Sequence, residues 1–320
     1  MSVLVSIIIP IYNAAASIRR CIDSVLSQSK DIRKEIIFVD DGSTDDSVEV
    51  IQSYNNSDFI VIRQKNGGPA KARNTGLNNA HGLYLAYLDA DDYWEPTFLE
   101  KSFSYMIDHS DVVAVSVGQS HKRDGCNSIV PQCIHSYESP FIIEDFFSFW
   151  SKFHHICTGS VLMKSDIAKA IGGQREELRC AEDWEFWLMI ATYGKWAFIP
   201  EVLFHSDGDE VMKKNGWLEK MKPRWESTPT VEVWEQRLIN RLGQNKPEGY
   251  NWAIGYVACD FVLSHILSKR SELARDEVKQ YGKFFPRNNI FGKVFKLCSK
   301  NVIVWDLLCK ILLWREYHRY

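Results

Sequence analysis

Strand-like and helix-like segments alternate over the first 117 residues, and this alternation limits the folds that the chain can adopt. Runs of β-branched and other apolar residues lie at 3–9, 35–39, 59–63, 84–88 and 112–117. Amphipathic helical patterns lie between them, at 17–27, 47–54 and 69–80. This order predicts an α/β fold with right-handed βαβ units, in which helices flank a mainly parallel, twisted sheet. Such sheets bind ligands beyond the carboxyl ends of their strands.

Carboxylates are concentrated where the apolar segments end. Asp40 and Asp41 follow the second strand-like run, and Asp89, Asp91 and Asp92 follow the fourth. Two carboxylates separated by one intervening residue, at the end of a buried strand, offer oxygen ligands to a hard divalent cation that also contacts a diphosphate. Asp89 and Asp91 therefore indicate a site for Mn²⁺ or Mg²⁺. A plain turn after the strand is the structural alternative, because aspartate is a common turn residue.

A glycine-rich segment follows the third strand-like run. Gly67-Gly68-Pro69 leads into a helical pattern whose first turns carry Lys71 and Arg73. Backbone N–H groups and cations at the start of a helix suit an anionic ligand. An exposed, charged helix face is the alternative interpretation of the same residues.

Four motifs of this half occur together in an order that is typical of one enzyme family. They are Ser6-Ile7-Ile8-Ile9-Pro10-Ile11-Tyr12-Asn13, Val39-Asp40-Asp41-Gly42-Ser43-Thr44-Asp45, Gly68-Pro69-Ala70 with Ala72-Arg73-Asn74-Thr75-Gly76, and Leu88-Asp89-Ala90-Asp91-Asp92. With these motifs, the first 98 residues closely resemble the nucleotide-binding half of family-2 glycosyltransferases. The resemblance is to enzymes of the GT-A fold and of the bacterial surface-polysaccharide type.

The resemblance implies a nucleotide-sugar pocket in the first half of the chain. It also implies that Asp89 and Asp91 hold the ribose and the metal. The remaining residues that it assigns to the base and ribose are Pro10, Tyr12, Asp41 and Arg73, with Asp40 in support.

The second half of the chain resembles the family less broadly. The segment Ala181-Glu182-Asp183-Trp184-Glu185-Phe186 is similar to the acceptor-side motif of the family. This similarity implies that Asp183 is the catalytic base and that Glu182 orients either the acceptor or Asp183. A base is needed because the acceptor hydroxyl loses its proton as it attacks the anomeric carbon. His205, after the apolar run 202–204, is a second candidate metal ligand, and a hydrogen-bonded loop histidine is the alternative.

These motifs predict an inverting, metal-dependent hexosyl- or HexNAc-transferase. We expect it to move a sugar from a nucleotide-diphosphate donor, with UDP-sugar as the family-level expectation. The expected acceptor is a hydroxyl of a glycan or of an undecaprenyl-type lipid-linked oligosaccharide in O-antigen or capsule assembly. A nicotinamide oxidoreductase and a P-loop phosphotransferase are excluded because their glycine-rich motifs do not occur in the sequence. The alternative is a catalytically silent GT-A-like scaffold or binding subunit.

Three regions are expected along the chain. Residues 1–117 form the nucleotide-sugar-binding half of the GT-A domain, 118–225 its acceptor-binding and catalytic half, and 226–320 a mostly helical C-terminal extension. The formal net charge of -3 gives no reason to expect nucleic acid as a partner.

The end of the extension, 283–320, is locally basic. Two interpretations stay open for it: a basic amphipathic helix on an anionic membrane, and a helix packed on the protein body. The apolar residues that fall near helical spacing are Ile290, Phe291, Val294, Phe295, Val302, Trp305, Leu308 and Leu312.

The cysteines and the hydropathy pattern predict a cytoplasmic location. The eight cysteines include no C-x-x-C pair, which fits reduced thiols. The first residues contain no basic region before the apolar run, so we expect no signal peptide. Since no uncharged apolar stretch is long enough to span a bilayer, membrane contact is expected to be peripheral, on the inner face.

Overall fold

The computed structural model describes residues 5–123, 126–132, 134–207 and 217–317. The strands of this part are β1 Val5–Ile11, β2 Lys34–Asp40, β3 Phe59–Arg63, β4 Tyr84–Tyr87, β5 Asp92–Trp94, β6 Val112–Arg123, β7 Cys126–Val130, β8 Phe141–Ile143, β9 Val161–Lys164 and β10 Lys195–Asp207. Its helices are α1 Ile18–Leu26, α2 Ser47–Gln52, α3 Pro69–Asn79, α4 Phe98–Asp108, α5 Phe146–Phe153, α6 Ser165–Ile171, α7 Glu182–Ala191, α8 Trp217–Glu226, α9 Val231–Leu242, α10 Tyr250–Leu267, α11 Ser271–Tyr281, α12 Ile290–Cys298 and α13 Val302–Tyr317. Short 3₁₀ helices lie at Ile134–Ser136, Thr158–Ser160 and Gly282–Phe284.

The described residues form two compact units. The first comprises those within Met1–Glu144, Phe153–Glu176 and Phe186–Glu210, and it contains the sheet. The second comprises those within Asp145–Lys152, Glu177–Glu185 and Val211–Tyr320, and it contains helices α8 to α13. The functional division expected from the sequence, with boundaries at 117 and 225, stays a prediction.

The strands join in one sheet in the order β3-β2-β1-β4-β9-β6-β10-β5, with β7 beside β6 and β8 beside β10. The first four positions of this order are parallel, because β1 pairs in parallel with β2 and β4, and β2 with β3. Further along, β6 and β10 are parallel and the remaining pairs are antiparallel. The predicted α/β class with a helical C-terminal region is confirmed, and its sheet is mixed in the second half.

The centre of the parallel half is apolar on both faces. Nearly every side chain of β1 and β2 is buried, which is typical of parallel strands that are covered on both sides. Helix α3 approaches β1 so closely that a Cβ at Gly76 would lie 2.3 Å from Cγ2 of Ile8. Because the strands run in one direction, the carboxyl ends of β1, β2 and β4 meet at the same edge of the sheet.

Most predicted elements of the first 117 residues match the observed ones within two residues at each end, although β6 continues to residue 123. The two extended runs predicted at 196–199 and 202–205 are one strand, β10, whose register shifts between Ile199 and Val202. Strand β5 was not predicted, because three residues are too few to show a period. The single C-terminal helix expected from the sequence is two helices, α12 and α13.

The second unit is built around α10, which is buried over most of its length and packs against α8, α9, α11 and α13. A buried carboxylate joins three of these helices. Glu235 of α9 accepts hydrogen bonds from the hydroxyl of Tyr250 in α10 at 2.6 Å and from that of Tyr281 in α11 at 3.0 Å. Since a buried carboxylate without partners is costly, these two hydroxyls fix the positions of the three helices.

A hydrogen-bond network closes the amino-terminal edge of the parallel strands. Oε1 of the buried Glu35 accepts from Oγ of Ser6 at 2.5 Å and from the backbone N–H of His81 at 2.6 Å. Oγ of Ser6 accepts in turn from the N–H of Gly82 at 2.8 Å. Burial by itself raises the pKa of Glu35, but the hydrogen bonds from Ser6 and His81 outweigh it and leave the pKa below its ordinary value.

Because folding lowers the pKa of Glu35, its contribution to stability is present above the ordinary glutamate pKa of about 4.3 and is lost as the pH falls through the lowered value. We expect Glu35→Gln to reduce the free energy of unfolding at neutral pH by about 1–3 kcal/mol. The variant should also lose less stability than wild type in acid. Urea unfolding over a pH series measures both effects, with the exposed Glu49→Gln as the control. Equal acid sensitivity of wild type and Glu35→Gln would contradict this role.

Candidate active site

The carboxyl edge of β1 and β2 brings the first predicted nucleotide-binding residues together. Ile11 and Asp40 are register partners, and the N–H of Asp41 donates to the carbonyl of Ile11 at 2.8 Å. Pro10 is half-buried near the end of β1, and Tyr12, just beyond it, is 57% exposed. An exposed aromatic ring at this edge is available to stack on a flat ligand.

Asp40 is fully buried, and its carboxylate is satisfied within the protein. Oδ1 accepts from the N–H of Ser43 at 2.9 Å, and Oδ2 accepts from Nε of Arg63 at 2.9 Å. Asp40 therefore fixes the turn after β2, which suits the supporting role predicted for it.

Asp41 holds the glycine-rich segment that precedes α3. Its Oδ1 accepts from Nε2 of Gln64 at 2.7 Å and from the N–H of Gly67 at 2.9 Å, and its Oδ2 accepts from the N–H of Gly68 at 2.8 Å. Gly68 has a φ of +91°, a region that glycine adopts at little cost. One carboxylate at the end of β2 thus determines where α3 begins.

The buried guanidinium of Arg73 extends from α3 to the acidic segment after β4. Its Nη2 donates to Oδ1 of Asp89 at 2.7 Å, and its Nη1 donates to Oε1 of Gln174 at 3.3 Å. The next side chain, Asn74, donates to the carbonyl of Gln174 at 2.7 Å. The ion pair orients Asp89, whose side chain remains 32% exposed at the carboxyl edge.

Asp89, Asp91 and Asp92 concentrate negative charge after β4. Burial, followed by the carboxylates of Asp89 and Asp91, raises the pKa of Asp92 well above its ordinary value. Arg20 donates from Nη2 to the carbonyl of Asp91 at 2.7 Å. Carboxylate oxygens in such a field fit a hard divalent cation such as Mn²⁺ or Mg²⁺. Within the described residues, however, no three His, Cys, Asp or Glu side chains converge as a ready ligand set.

His205 lies beside this acidic segment because β5 pairs with β10. It is the register partner of Tyr93, and the two rings stack with centroids 4.7 Å apart. Its Nε2 is 2.8 Å from Oε1 of Glu95, and the guanidinium of Arg20 lies 4.8 Å from the centroid of the Tyr93 ring. The role of His205 as a metal ligand stays a prediction. Arg20, Tyr93 and Glu95 were not identified from the sequence.

The acceptor-side motif begins α7, and its two acids lie in the second compact unit. Asp183 is half-buried. Glu182 is buried, and its Oε2 has no hydrogen-bond partner. Because an unsatisfied buried oxygen is costly, its presence calls for an explanation such as a catalytic role.

Two residues of α9 hold this motif, and neither was identified from the sequence. The fully buried Trp234 donates from Nε1 to the carbonyl of Ala181 at 2.9 Å. Ala181 has a φ of +56°, a left-handed conformation that costs a non-glycine residue about 1–2 kcal/mol. Arg237 donates from Nε to Oε1 of the buried Glu185 at 2.6 Å, and its Nη2 pairs with Oε2. Since the partners are 53 and 52 positions apart, no local pattern reveals these contacts.

The comparisons with known proteins identify the family. Residues 6–171 match the family model described as Glycosyl transferase family 2, which covers more than half of the chain. The chain belongs to this family.

Two curated relatives of this glycosyltransferase are bacterial proteins. Glycosyltransferase GlyA of Streptococcus pneumoniae serotype 4 is 38% identical over 114 residues, which are 35% of this chain and 16% of GlyA. TuaG of Bacillus subtilis, named for teichuronic acid biosynthesis, is 31% identical over 198 residues, 61% of this chain and 75% of TuaG. The matched segment thus spans a small part of GlyA and three quarters of TuaG.

Solved structures share the GT-A fold of the glycosyltransferase. S. aureus TarS 1-349 in complex with UDP-GlcNAc has a TM-score of 0.69 at 17% identity, covering 98% of this chain and 91% of that chain. The mannosyltransferase PcManGT from Pyrobaculum calidifontis, in complex with GDP-Man and Mn²⁺, has a TM-score of 0.58 at 17% identity, covering 98% and 86%. At these identities the likeness shows the fold alone.

Trp234→Phe tests whether α9 positions the acceptor-side motif. The substitution keeps an aromatic ring and removes the N–H group that donates to the carbonyl of Ala181. We expect kcat to fall roughly tenfold, which corresponds to about 1.4 kcal/mol, while KM for the nucleotide sugar changes little. Steady-state kinetics measure the two constants. Trp252→Phe, an exposed tryptophan of α10, is the control. A lower melting temperature with unchanged kcat would show that Trp234 only stabilises the second unit.

Proposed function

We propose that this glycosyltransferase moves a sugar from a UDP-sugar to a hydroxyl of a glycan or lipid-linked oligosaccharide. The observation that carries the proposal is that Asp41 and Asp89 are both tied to α3, one through the glycine-rich segment and the other through Arg73. Carboxylates accept hydrogen bonds from base N–H groups and ribose hydroxyls, and a helix start favours a diphosphate. Together they suit a nucleoside diphosphate at the carboxyl edge of the parallel strands.

The roles proposed on the donor side follow from this placement. Tyr12, with Pro10 beside it, would stack on the base, and Asp41 and Arg73 would contact the base and ribose. Asp40 would support them from behind by fixing the turn after β2. A UDP-sugar is favoured because TarS, which has the same fold, was solved with UDP-GlcNAc.

The acidic segment is the proposed metal site. Asp91 would bind Mn²⁺ or Mg²⁺, Asp89 would contact the ribose, and His205 on the neighbouring strand would be a further ligand. The raised pKa of Asp92 supports a cation here, because it reflects burial and the nearby carboxylates. PcManGT, with the same fold, was solved with Mn²⁺. When bound, the ion would neutralise charge on the leaving diphosphate.

Asp183 is the proposed catalytic base, and Glu182 would orient it or the acceptor. In a single displacement the acceptor oxygen bonds to the anomeric carbon while the bond to the diphosphate breaks. The hydroxyl proton passes to the carboxylate of Asp183. Attack opposite the leaving group inverts the anomeric centre. Asp183 lies in the first turn of α7, at the positive end of the helix dipole.

The proposed setting is the assembly of a surface polysaccharide, such as O-antigen or capsule, on an undecaprenyl-type carrier at the cytoplasmic face of the membrane. The name of TuaG supports a polymer of this kind. In the described part of the chain, no helix is both long enough and apolar enough to cross a bilayer. Peripheral contact would therefore come from 283–320, of which residues 318–320 lie outside the described part.

Transfer assays over a panel of nucleotide sugars with Mn²⁺ test the proposed reaction. We expect wild type to use one donor, and Asp183→Asn to lose about a hundredfold to ten-thousandfold in kcat, because general-base catalysis contributes typically 10²–10⁴-fold. Asp91→Asn should lose activity as well. Asp276→Asn, an exposed carboxylate of α11, is the control and should keep full activity.

The product and the binding data separate the alternatives. An inverted anomeric configuration, read by NMR, supports a single displacement, and retention contradicts it. A wild-type protein that binds a nucleotide sugar but neither hydrolyses nor transfers it would contradict the enzyme and favour the scaffold.

Thermal unfolding tests the metal site without relying on catalysis. UDP with Mn²⁺ should raise the melting temperature of wild type by a few degrees, because a ligand at about 100 times its Kd stabilises the folded state by about 2.7 kcal/mol. Asp91→Asn should lose most of the increment that Mn²⁺ adds to UDP alone, and Asp183→Asn should keep it. If Asp91→Asn keeps the whole rise in melting temperature that Mn²⁺ adds to UDP alone, the ion binds elsewhere and the proposed metal site is wrong.

A further inference from the structure

Helix α13 carries two apolar faces, one buried and the other exposed to solvent. Trp305, Cys309 and Leu312 are buried within the second unit. The opposite face is exposed over 46–79% of each side chain and is called here the α13 stripe. Its members are Ile303, Val304, Leu307, Ile311 and Trp314. Contiguous exposed apolar surface of this kind marks a site of contact with a protein or a membrane.

Basic residues border the α13 stripe on both sides. At 3.6 residues per turn, the five stripe residues occupy an arc of about 100°, with Lys310 at one edge and Arg315 at the other. Both of these side chains are exposed. An apolar arc between two cations is the arrangement of an interfacial helix, because long basic side chains reach the headgroups while the apolar residues enter the acyl boundary.

The surrounding segment has the charge that an anionic surface attracts. Residues 283–317 contain seven lysines and arginines against two acids, Asp306 and Glu316. Glu316 is buried and pairs with Arg315 at 3.6 Å, so Asp306 is the one exposed acid of this segment. Each basic residue near an anionic bilayer strengthens binding.

Helix α12 lies beside one border of the α13 stripe. The guanidinium of Arg315 lies 5.3 Å from the ring centroid of Phe291, which is partly exposed. Ile290 and Leu297 of α12 are also exposed. Phe295 packs on Trp305, with ring centroids 6.1 Å apart, and this contact fixes α12 against α13. Arg315, at one border of the α13 stripe, thus lies next to α12.

We propose that the α13 stripe lies in the headgroup and acyl boundary of an anionic lipid bilayer, with Lys310 and Arg315 on the headgroups. Both interpretations of the C-terminal segment then hold, each for one face: Trp305 and Leu312 pack on the protein, and the α13 stripe contacts lipid. The inference deepens the proposed function, since it rests on a lipid-linked acceptor for its purpose. Helix α13 would hold the enzyme at the surface where such an acceptor lies.

Vesicle co-sedimentation of the full chain tests the proposal. The probes are vesicles of phosphatidylglycerol mixed with phosphatidylcholine, and vesicles of phosphatidylcholine alone. We expect wild type to bind the anionic vesicles, to bind more weakly as salt rises, and to bind neutral vesicles poorly. Leu307→Ser/Ile311→Ser and Lys310→Gln/Arg315→Gln should each reduce binding roughly tenfold or more.

Matched variants keep the result interpretable. Val233→Ser/Ile107→Ser removes exposed apolar side chains elsewhere, and Lys222→Gln/Lys279→Gln removes exposed charges elsewhere. Both should bind vesicles as wild type does. Melting temperatures close to wild type show that each variant is folded.

Failure to bind anionic vesicles, or binding by Leu307→Ser/Ile311→Ser equal to that of wild type, would overturn the proposal. Sedimentation velocity adds a further outcome. If wild type self-associates without lipid, the stripe variant is monomeric and neither binds vesicles, then a second copy of the chain covers the stripe and the proposal is wrong. Asp183→Asn should bind vesicles normally, so loss of transfer and loss of lipid binding are distinguishable failures.

Discussion

Parallel pairing of β1 with both β2 and β4 is the constraint on which the proposed donor site of this glycosyltransferase depends. The pairing requires strands that are apolar on both faces, and it brings their carboxyl ends to one edge of the sheet. The polar residues that follow these strands are therefore brought together by the strand pairing itself. Gly76 lets α3 lie against Ile8, and so brings Arg73 to the same edge.

The carboxylates at this edge differ in their surroundings, and this difference suggests that some have a structural role and others bind the ligand. Asp40 and Asp41 accept hydrogen bonds from the protein on both oxygens, so they shape the turn after β2 and the start of α3. Asp89 is held by Arg73 but stays partly exposed, and Asp92 is buried among like charges. Preorganised groups of this kind bind a charged ligand without rearranging at the moment of reaction.

The sequence predicted the parts of the structure that local patterns encode. The early strands follow from β-branched runs. The meeting of the acids at one edge of the sheet follows from the parallel direction of these strands. Trp234 and Arg237 could not be found this way, because their partners Ala181 and Glu185 are distant in sequence. The buried face of α13 contains Trp305 and Leu312, two of the apolar residues that the sequence places at helical spacing. Which other face stays exposed depends on how the rest of the unit packs. Packing, which has no local signature, decides such cases.

A crystal structure of the chain with UDP and Mn²⁺ is the most direct test of the central claim, that the carboxyl edge of β1, β2 and β4 is the donor site. The claim predicts uridine beside Tyr12 and Asp41, ribose near Asp89, and the ion on Asp91. Such a structure also shows whether His205 leaves Glu95 to reach the ion. UDP bound away from this edge, or an ion held by residues outside the acidic segment, would contradict the claim.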